Sequence, residues 1–345
     1  MTALDTIVPG HASEFVLDVD DLVVHFDAGR KGPFAKPSQV HAVDGVSFRV
    51  RRGTCFGIVG ESGSGKSTTA QAIMRLVPAT SGRIQFLNRD ILGLTGKELR
   101  EARKHLQIIF QDPFSALNPR RRAGDQIREP LDLLGVGTPS ERNERVHRLL
   151  GEVGLPPQAA DLFPHQFSGG QRQRLCIARA LAPEPDLIVC DEAVSALDVA
   201  IQAQILNLLK RLQRERNLTY IFISHDLGVI QQFCDEIAVM YLGKIVEQAP
   251  AANIFAAPRH PYTWSLIAAA APAGPLRNVL KQRYLIKGDP PSPVDPPPGC
   301  RFAQRCPSAT PHCRELLPRL EPIEADHFVA CHRVAELVPP ELTAS

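Results

Sequence analysis

Residues Gly60–Ser67 read GESGSGKS, preceded by the apolar run TCFGIVG and followed by a helix-forming segment from Lys66 onward. The stretch fits the pattern G-x-x-x-x-G-K-[ST]. It also sits where that pattern has mechanical meaning, after a short buried strand and at the start of a helix. Gly60, Gly63 and Gly65 free the backbone, so that consecutive N–H groups from Gly60 through Glu61, Ser62 and Ser64 can wrap phosphate oxygens. Lys66 is expected to reach the β- and γ-phosphates. The Ser67 hydroxyl is expected to bind Mg²⁺, with Thr68 beside it. A strand, a phosphate loop and a helix in that order predict an α/β fold.

The segments around this loop agree. LIVC, YIFIS and IAVMYLG read as three further buried strands. The helix predicted between the first two carries Ile205, Leu208, Leu209 and Leu212 at i, i+3, i+4 and i+7. Alternating strands and helices predict a parallel sheet covered by helices. Ahead of the loop, FVLDVDDLVVHF and VHAVDGVSFRV are Val- and Phe-rich alternating runs that predict antiparallel strands, joined by the insert DAGRKGPFAKPSQ. Residues from about Gln111 to Gln166 hold no strand-like run, and LDLLGV and RNERVHRLLGEVGL read as helices. After Pro258 the composition changes, and GDPPSPVDPPPGC reads as an extended, semi-rigid connector into a cysteine-bearing tail.

Composition sets bounds. A chain of 345 residues with 44% apolar content can bury a sizeable core in one large domain or two smaller ones. A net charge of +2 advertises no nucleic-acid partner. No apolar run approaches the roughly 18 residues of a membrane span, the nearest being LIAAAAPAGPL from Leu266. The start, MTALDTIVPGHASEF, lacks the basic-then-apolar layout of a secretory signal. The expectation is a cytosolic chain whose cysteines are reduced or metal-bound.

Two more motifs carry chemistry. The strand LIVCDE ends in Asp191 and Glu192. Asp191, at the strand tip, is placed to hold Mg²⁺, and Glu192 to take a proton from an attacking water. FSGGQRQR then offers a second helix start, with Ser168 as N-cap and Gly169, Gly170 and Gln171 behind it. A helix start is an anion site, yet the chain has no second GKS loop for it to serve. Two chains packed head to tail would resolve this, each offering its Ser168 end to the nucleotide held by the other.

GESGSGKS, FSGGQ, LIVCDE, SALD and ISHD, in that order, resemble an ATP-binding cassette (ABC) ATPase over roughly residues 15 to 255. The resemblance implies a P-loop NTPase fold: a RecA-like core, an N-terminal antiparallel β subdomain and a helical subdomain. It implies a nucleotide-sandwich dimer with ATP and Mg²⁺. It implies that Gln111 senses Mg²⁺ and water and couples to membrane subunits, that Asp198 lines the dimer seam, and that His225 contacts the γ-phosphate. Phe26, in VVHF, is the candidate for stacking on adenine, with Phe34 as the alternative. Phe167 stands where leucine is commoner, and Ala193 follows the acidic pair where a proline often sits.

FQDPFSALNPR, HQFSGGQRQR, PRHPYTWSL and PPSPVDPPPGC further resemble the dipeptide/oligopeptide importer group, second-ATPase type, which also includes nickel and glutathione importers. That implies a flexible tail at 1–14, a cassette at 15–258 with its helical subdomain at about 112–168, and a C-terminal extension at 259–345. It also implies a paralogous ATPase partner, two transmembrane permease subunits and, indirectly, an extracellular or periplasmic solute-binding protein. The place of work would be the cytoplasmic face of the inner membrane. A non-transport cassette protein is the rival, and it usually carries two cassettes or a long coiled coil.

Cys300, Cys306, Cys313 and Cys331 follow C-x5-C-x6-C-x17-C, which is not zinc-finger spacing. Thiolates suit zinc or an iron–sulfur cluster, and His312 and His332 nearby keep zinc open. In the importer group the tail resembles one that can hold a [4Fe–4S] cluster. Cys55, Cys176, Cys190 and Cys234 lie in apolar runs and read as core.

Overall fold

A computed structural model describes residues 14–29, 38–270 and 288–337. The expected N-terminal tail up to residue 13, the alternative adenine-stacking Phe34 and most of the apolar stretch after Ala270 lie outside the described residues. From the N-terminus the elements run β1 (Phe15–Asp27), β2 (Gln39–Arg51), β3 (Cys55–Val59), α1 (Lys66–Ile73), β4 (Ser81–Phe86) and β5 (Arg89–Asp90). Then come α2 (Gly96–His105), β6 (Leu106–Ile109), α3 (Pro113–Ala116), α4 (Ala123–Leu134), α5 (Pro139–Glu152) and α6 (Gly169–Leu181). The second half holds β7 (Leu187–Asp191), α7 (Val199–Arg216), β8 (Thr219–Ser224), α8 (Leu227–Phe233), β9 (Glu236–Tyr241) and β10 (Lys244–Pro250). It closes with α9 (Ala251–Ala256), α10 (Pro261–Ala270), α11 (Pro311–Glu315), β11 (Glu321–Glu324) and β12 (His327–Val329).

The strands form two sheets, one in the order β2-β1-β4-β5 and a larger one in the order β11-β12-β10-β9-β3-β8-β7-β6. β1 and β2 pair antiparallel, as their alternating pattern predicts. In the larger sheet β6, β7, β8, β3 and β9 are mutually parallel. β3, β7 and β8 are buried at every position, which is why they read as unbroken apolar runs: both of their faces are covered.

Each face has its own core. Phe56, Ile58, Val189, Ile221 and Ile223 point into a cluster with Leu22, Val46, Phe48 and Ile84 of the small sheet and Ile73 of α1. Cys55, Cys190, Tyr220 and Phe222 point the other way, into a cluster with Leu149 and Leu150 of α5, Ile177 of α6 and Leu209 of α7. Side-chain alternation along one strand thus joins the antiparallel layer to the helical layer.

The functional consequence is positional. The phosphate loop follows β3, Asp191 ends β7, His225 follows β8 and Gln111 follows β6. All four stand at the carboxyl ends of parallel strands, where open α/β sheets hold ligands. β6 was not foreseen; it is four residues long with two of them only half-buried, too little pattern to separate from its surroundings.

The proline-rich stretch does not run free as a connector. Val294 forms a bridge with Val40, the His41 N–H donates to the Pro293 carbonyl at 2.9 Å, and the Asp295 N–H donates to the Gln39 carbonyl at 3.0 Å. Farther on, β12 pairs with β10 and so extends the main sheet.

Behind this seam Asp44 is held from four sides. His25 Nε2 lies 3.1 Å and His41 Nδ1 3.4 Å from Oδ1, while Oδ2 takes Arg301 at 2.5 Å and Lys244 at 3.7 Å. This is the one group of three metal-ligand types among the described residues whose donor atoms all lie within 4.8 Å. With Arg301 and Lys244 on the same carboxylate, its charge is already neutralised, and it acts as a structural knot. Burial pushes the Asp44 pKa up, but Lys244, His25 and Arg301 outweigh it and bring it from 3.8 down to about 2. The folded carboxyl therefore binds its proton more weakly than the unfolded one, so the knot adds stability above pH 3.8 and loses it as pH falls through about 2. Asp44→Asn is expected to cost on the order of 1–3 kcal/mol near neutral pH, because Arg301 is left without its anion. That deficit shrinks below pH 3.8 in denaturant titrations of variant against parent; a deficit unchanged by acid would contradict the assignment.

Candidate active site

The phosphate loop needs its glycines for close approach. Gly65 has φ +104°, and a Cβ there would stand 2.2 Å from the Ala42 carbonyl oxygen. Lys66 is buried, and its Nζ donates to the carbonyls of Gly60 at 2.9 Å and Glu61 at 2.8 Å. Burial lowers its pKa, while the carboxylates of Glu192 and Asp191 oppose that shift. The lysine thus donates to two carbonyls of its own loop.

The acidic strand end faces this loop. Ser67 Oγ donates to Asp191 Oδ1 at 2.8 Å. Desolvation raises the Asp191 pKa, with the Ser67 hydrogen bond acting against it and the Glu192 charge adding to it. A hydroxyl and a carboxylate oxygen in contact beside the lysine form a hard-oxygen pair that suits Mg²⁺. Glu192 has φ +49°, a strained conformation for a non-glycine residue. Its turn is secured by two backbone bonds: the Glu192 N–H donates to the Ile223 carbonyl at 3.0 Å, and the Ser195 N–H to the Glu192 carbonyl at 3.1 Å.

Glu192 joins the other two water-facing candidates. Gln111 Nε2 donates to Glu192 Oε2 at 2.8 Å, and His225 Nδ1 lies 3.2 Å from Oε1. Three residues far apart in sequence thus form one row, Gln111–Glu192–His225, beside the Mg²⁺ pair. The carboxylate can accept a proton, while the amide and imidazole orient it and its water. Phe26 lies on β1 opposite Val40 and is 38% exposed, so its ring is free to meet a base.

The second helix start is carried elsewhere. α6 packs on α3, α4, α5, α7 and β6, whereas α1 packs on β1, β2 and β7. At the α6 start, Ser168 and Gln171 form a reciprocal capping box, with Gln171 N donating to Ser168 Oγ at 3.3 Å and Ser168 N to Gln171 Oε1 at 3.0 Å. A Cβ on Gly170 would stand 2.6 Å from Ile201 Cγ2 of α7. Asp198 caps α7, its Oδ1 accepting from the Ile201 N–H at 2.9 Å. Ser168 and Asp198 are therefore neighbours through Gly170 and Ile201.

Two contacts on the phosphate loop have no signal in the local sequence. The Glu61 N–H donates to Tyr262 Oη at 2.8 Å, and the Glu61 carboxylate takes both Nη atoms of Arg305, at 2.7 and 3.1 Å. The partners lie 201 and 244 residues away, and only an arginine with no local acidic partner hints at the second.

Cys300, Cys306, Cys313 and Cys331 line one small cavity, with His260 and His332 also in its wall. Burial raises the thiols of Cys300, Cys306 and Cys331 to about 11. Among the described residues, no three of these sulfurs all lie within 4.8 Å of one another. A single tetrahedral zinc would bring them to about 3.8 Å, given Zn–S of about 2.3 Å. The other four cysteines are buried core, as expected.

A family model described as "ABC transporter" matches residues 43–195, and one described as "Oligopeptide/dipeptide transporter, C-terminal region" matches residues 246–313. The chain is 48% identical to the oligopeptide transport ATP-binding protein AppF of Bacillus subtilis, over 92% of this chain and 97% of that one. It is also 48% identical to a probable peptide ABC transporter ATP-binding protein, y4tS, of Sinorhizobium fredii, over 93% and 90%. Among solved structures it resembles the dimeric post-hydrolysis state of the ATP-binding cassette MJ0796 bound to ADP and Pi. The TM-score is 0.60 at 29% identity, covering 68% of this chain and 98% of that one. It also resembles cbiO1 of Clostridium perfringens, part of a cbiONQ transporter complex, with TM-score 0.60 at 26% identity, covering 79% and 99%.

Proposed function

The chain belongs to the ATP-binding subunits of peptide-importing ABC transporters, and from that premise we propose how its residues hydrolyse ATP to energise import. The observation that carries the assignment is the row Gln111–Glu192–His225 standing beside Ser67 and Asp191. The loop Gly60–Ser67 binds the phosphates, Lys66 moves from its loop carbonyls to the β- and γ-phosphates, and Thr68 follows at the helix start. Ser67 and Asp191 would hold Mg²⁺, which would neutralise charge on the phosphates, and Gln111 would sense it. Glu192 takes the proton of the attacking water, and His225 contacts the γ-phosphate. Phe26 stacks on adenine.

ATP closes the site from two chains. Ser168, Gly169, Gly170 and Gln171 of one subunit face the γ-phosphate held by the other, and Asp198 lines the seam. In this importer type the second chain is a paralogous ATPase. The motor works at the cytoplasmic face of the membrane; no helix among the described residues is long and apolar enough to cross it. Two permease subunits cross it instead, and a solute-binding protein delivers peptide from outside. A groove of about 1000 Å³, lined by Arg100, Arg103, Phe110, Gln111 and Leu133, offers the permease a docking place. Leu133 is 69% exposed there and Gln111 lines the same groove, so hydrolysis and docking meet at one place. Solute is chosen elsewhere, and nickel or glutathione remain alternatives to peptide.

The four extension cysteines fit a [4Fe–4S] cluster by their donor chemistry and by lining one cavity. Cys300, Cys306, Cys313 and Cys331 would hold it, and its role there is structural. Protein purified without oxygen is expected to be brown, with absorbance near about 400 nm from thiolate-to-iron charge transfer. Cys306→Ser should remove the colour. Colourless protein containing zinc would reject the cluster.

A further inference from the structure

The turn Cys300–Cys306 has two sides. Cys300, Phe302, Ala303 and Cys306 line the cysteine cavity, while Arg301 and Arg305 reach the nucleotide half of the molecule. The turn is closed internally: Ala303 N donates to the Cys300 carbonyl at 3.0 Å, Cys306 N to the Phe302 carbonyl at 3.0 Å, and Cys300 N to the Cys313 carbonyl at 2.8 Å. From it Arg301 reaches Asp44 on β2. Phe302, 1% exposed, packs against Tyr241 and Tyr262 with ring centroids 5.3 and 5.5 Å apart. Arg305, its side chain 8% exposed, forks onto Glu61.

Glu61 is the second residue of the phosphate loop, and the extension grips it twice. Tyr262 Oη takes its N–H and Arg305 takes both carboxylate oxygens, while its carbonyl holds Lys66. Four hydrogen bonds to three partners fix the peptide that precedes the phosphate-binding amides. A bidentate arginine–carboxylate pair is directional as well as strong, so it defines where that peptide lies.

We propose that the cysteine-bearing turn is a positioning element for the phosphate loop: Arg305, acting through Glu61, sets the affinity for ATP, and nucleotide and thiol pocket are thereby coupled. This rests on the ATPase reading above. Coupling of this kind is reciprocal. Whatever alters the thiol pocket and shifts Arg305 alters nucleotide affinity, and bound nucleotide alters the thiols in turn.

The test uses the full-length chain. Arg305→Met is expected to raise KM for ATP about tenfold, the size expected for one charge-assisted hydrogen-bonded pair, with kcat within about twofold. Glu61→Gln should likewise raise KM for ATP, and the KM of the double variant should be no worse than that of Arg305→Met alone, since both remove one interaction. Arg305→Lys keeps the charge but not the fork, and should recover part of the affinity. A saturating non-hydrolysable ATP analogue should slow backbone hydrogen exchange across the turn Cys300–Cys306, read by mass spectrometry, in the parent but not in Arg305→Met. An unchanged KM, additive effects of the two single variants, or equal protection in parent and variant would each overturn the proposal. A lower melting temperature with KM unchanged would mark Arg305 as structural only. None of these outcomes touches the ATPase reading, which fails instead if Glu192→Gln still turns over ATP.

Discussion

Glu192→Gln is expected to reduce ATP turnover by about 10²–10⁴-fold, the usual worth of a general base, while nucleotide binding persists. Glutamine is close to glutamate in shape and can keep partners at Gln111 and His225, so the turn at φ +49° need not change. What it cannot do is accept a proton. Binding should hold, or tighten, for an electrostatic reason. Neutralising the Glu192 carboxylate removes a negative charge that stands beside the place of the anionic phosphates. Bound, unhydrolysed ATP should then accumulate a closed dimer, visible by size-exclusion chromatography or light scattering. Turnover at the parental rate would show that another group takes the proton.

Ser168→Arg should also abolish turnover, and by a different route. The side chain caps α6 on the surface, so its loss costs about 1 kcal/mol of helix stability and the chain still folds. The phosphate loop lies on another layer of the molecule, so ATP binding to the isolated subunit should stay within about twofold of parent, the scatter expected when no contact is lost. Hydrolysis should fall by about 10²-fold or more, as when an oxyanion-type donor is removed, because the arginine occupies the place where the partner's γ-phosphate must sit. Equilibrium binding by fluorescence, set against steady-state phosphate release, separates the two effects. Equal loss of both would put Ser168 at its own chain's nucleotide. Full activity in a strictly monomeric preparation would remove the need for a second chain.

Much of this was readable in the sequence because its causes are local. GESGSGKS encodes its own loop, since glycine at Gly65 is required by a positive φ and a backbone contact that no other residue meets. LIVC and YIFIS announce burial on both faces by lacking polar positions. Ser168 and Gln171 announce a helix start by their spacing. Distances between motifs were not readable. That Gln111 and His225 would touch the same carboxylate follows from strand order, and the strand that carries Gln111, β6, is too short to declare itself.

The extension marks the limit most clearly. Its cysteines and prolines are conspicuous in sequence, and the prolines read as a spacer. In the structure the proline stretch lies along β2, β12 joins the main sheet, and Arg305 crosses 244 residues of chain to reach Glu61. The sequence by itself determined which residues have phosphate, metal and proton chemistry, because that chemistry belongs to side-chain type and near spacing. Tertiary structure alone decided which of them meet, because long-range pairing is set by the burial of two opposed sheet faces and by charges such as Glu61 and Asp44 that need a partner wherever the folded chain supplies one.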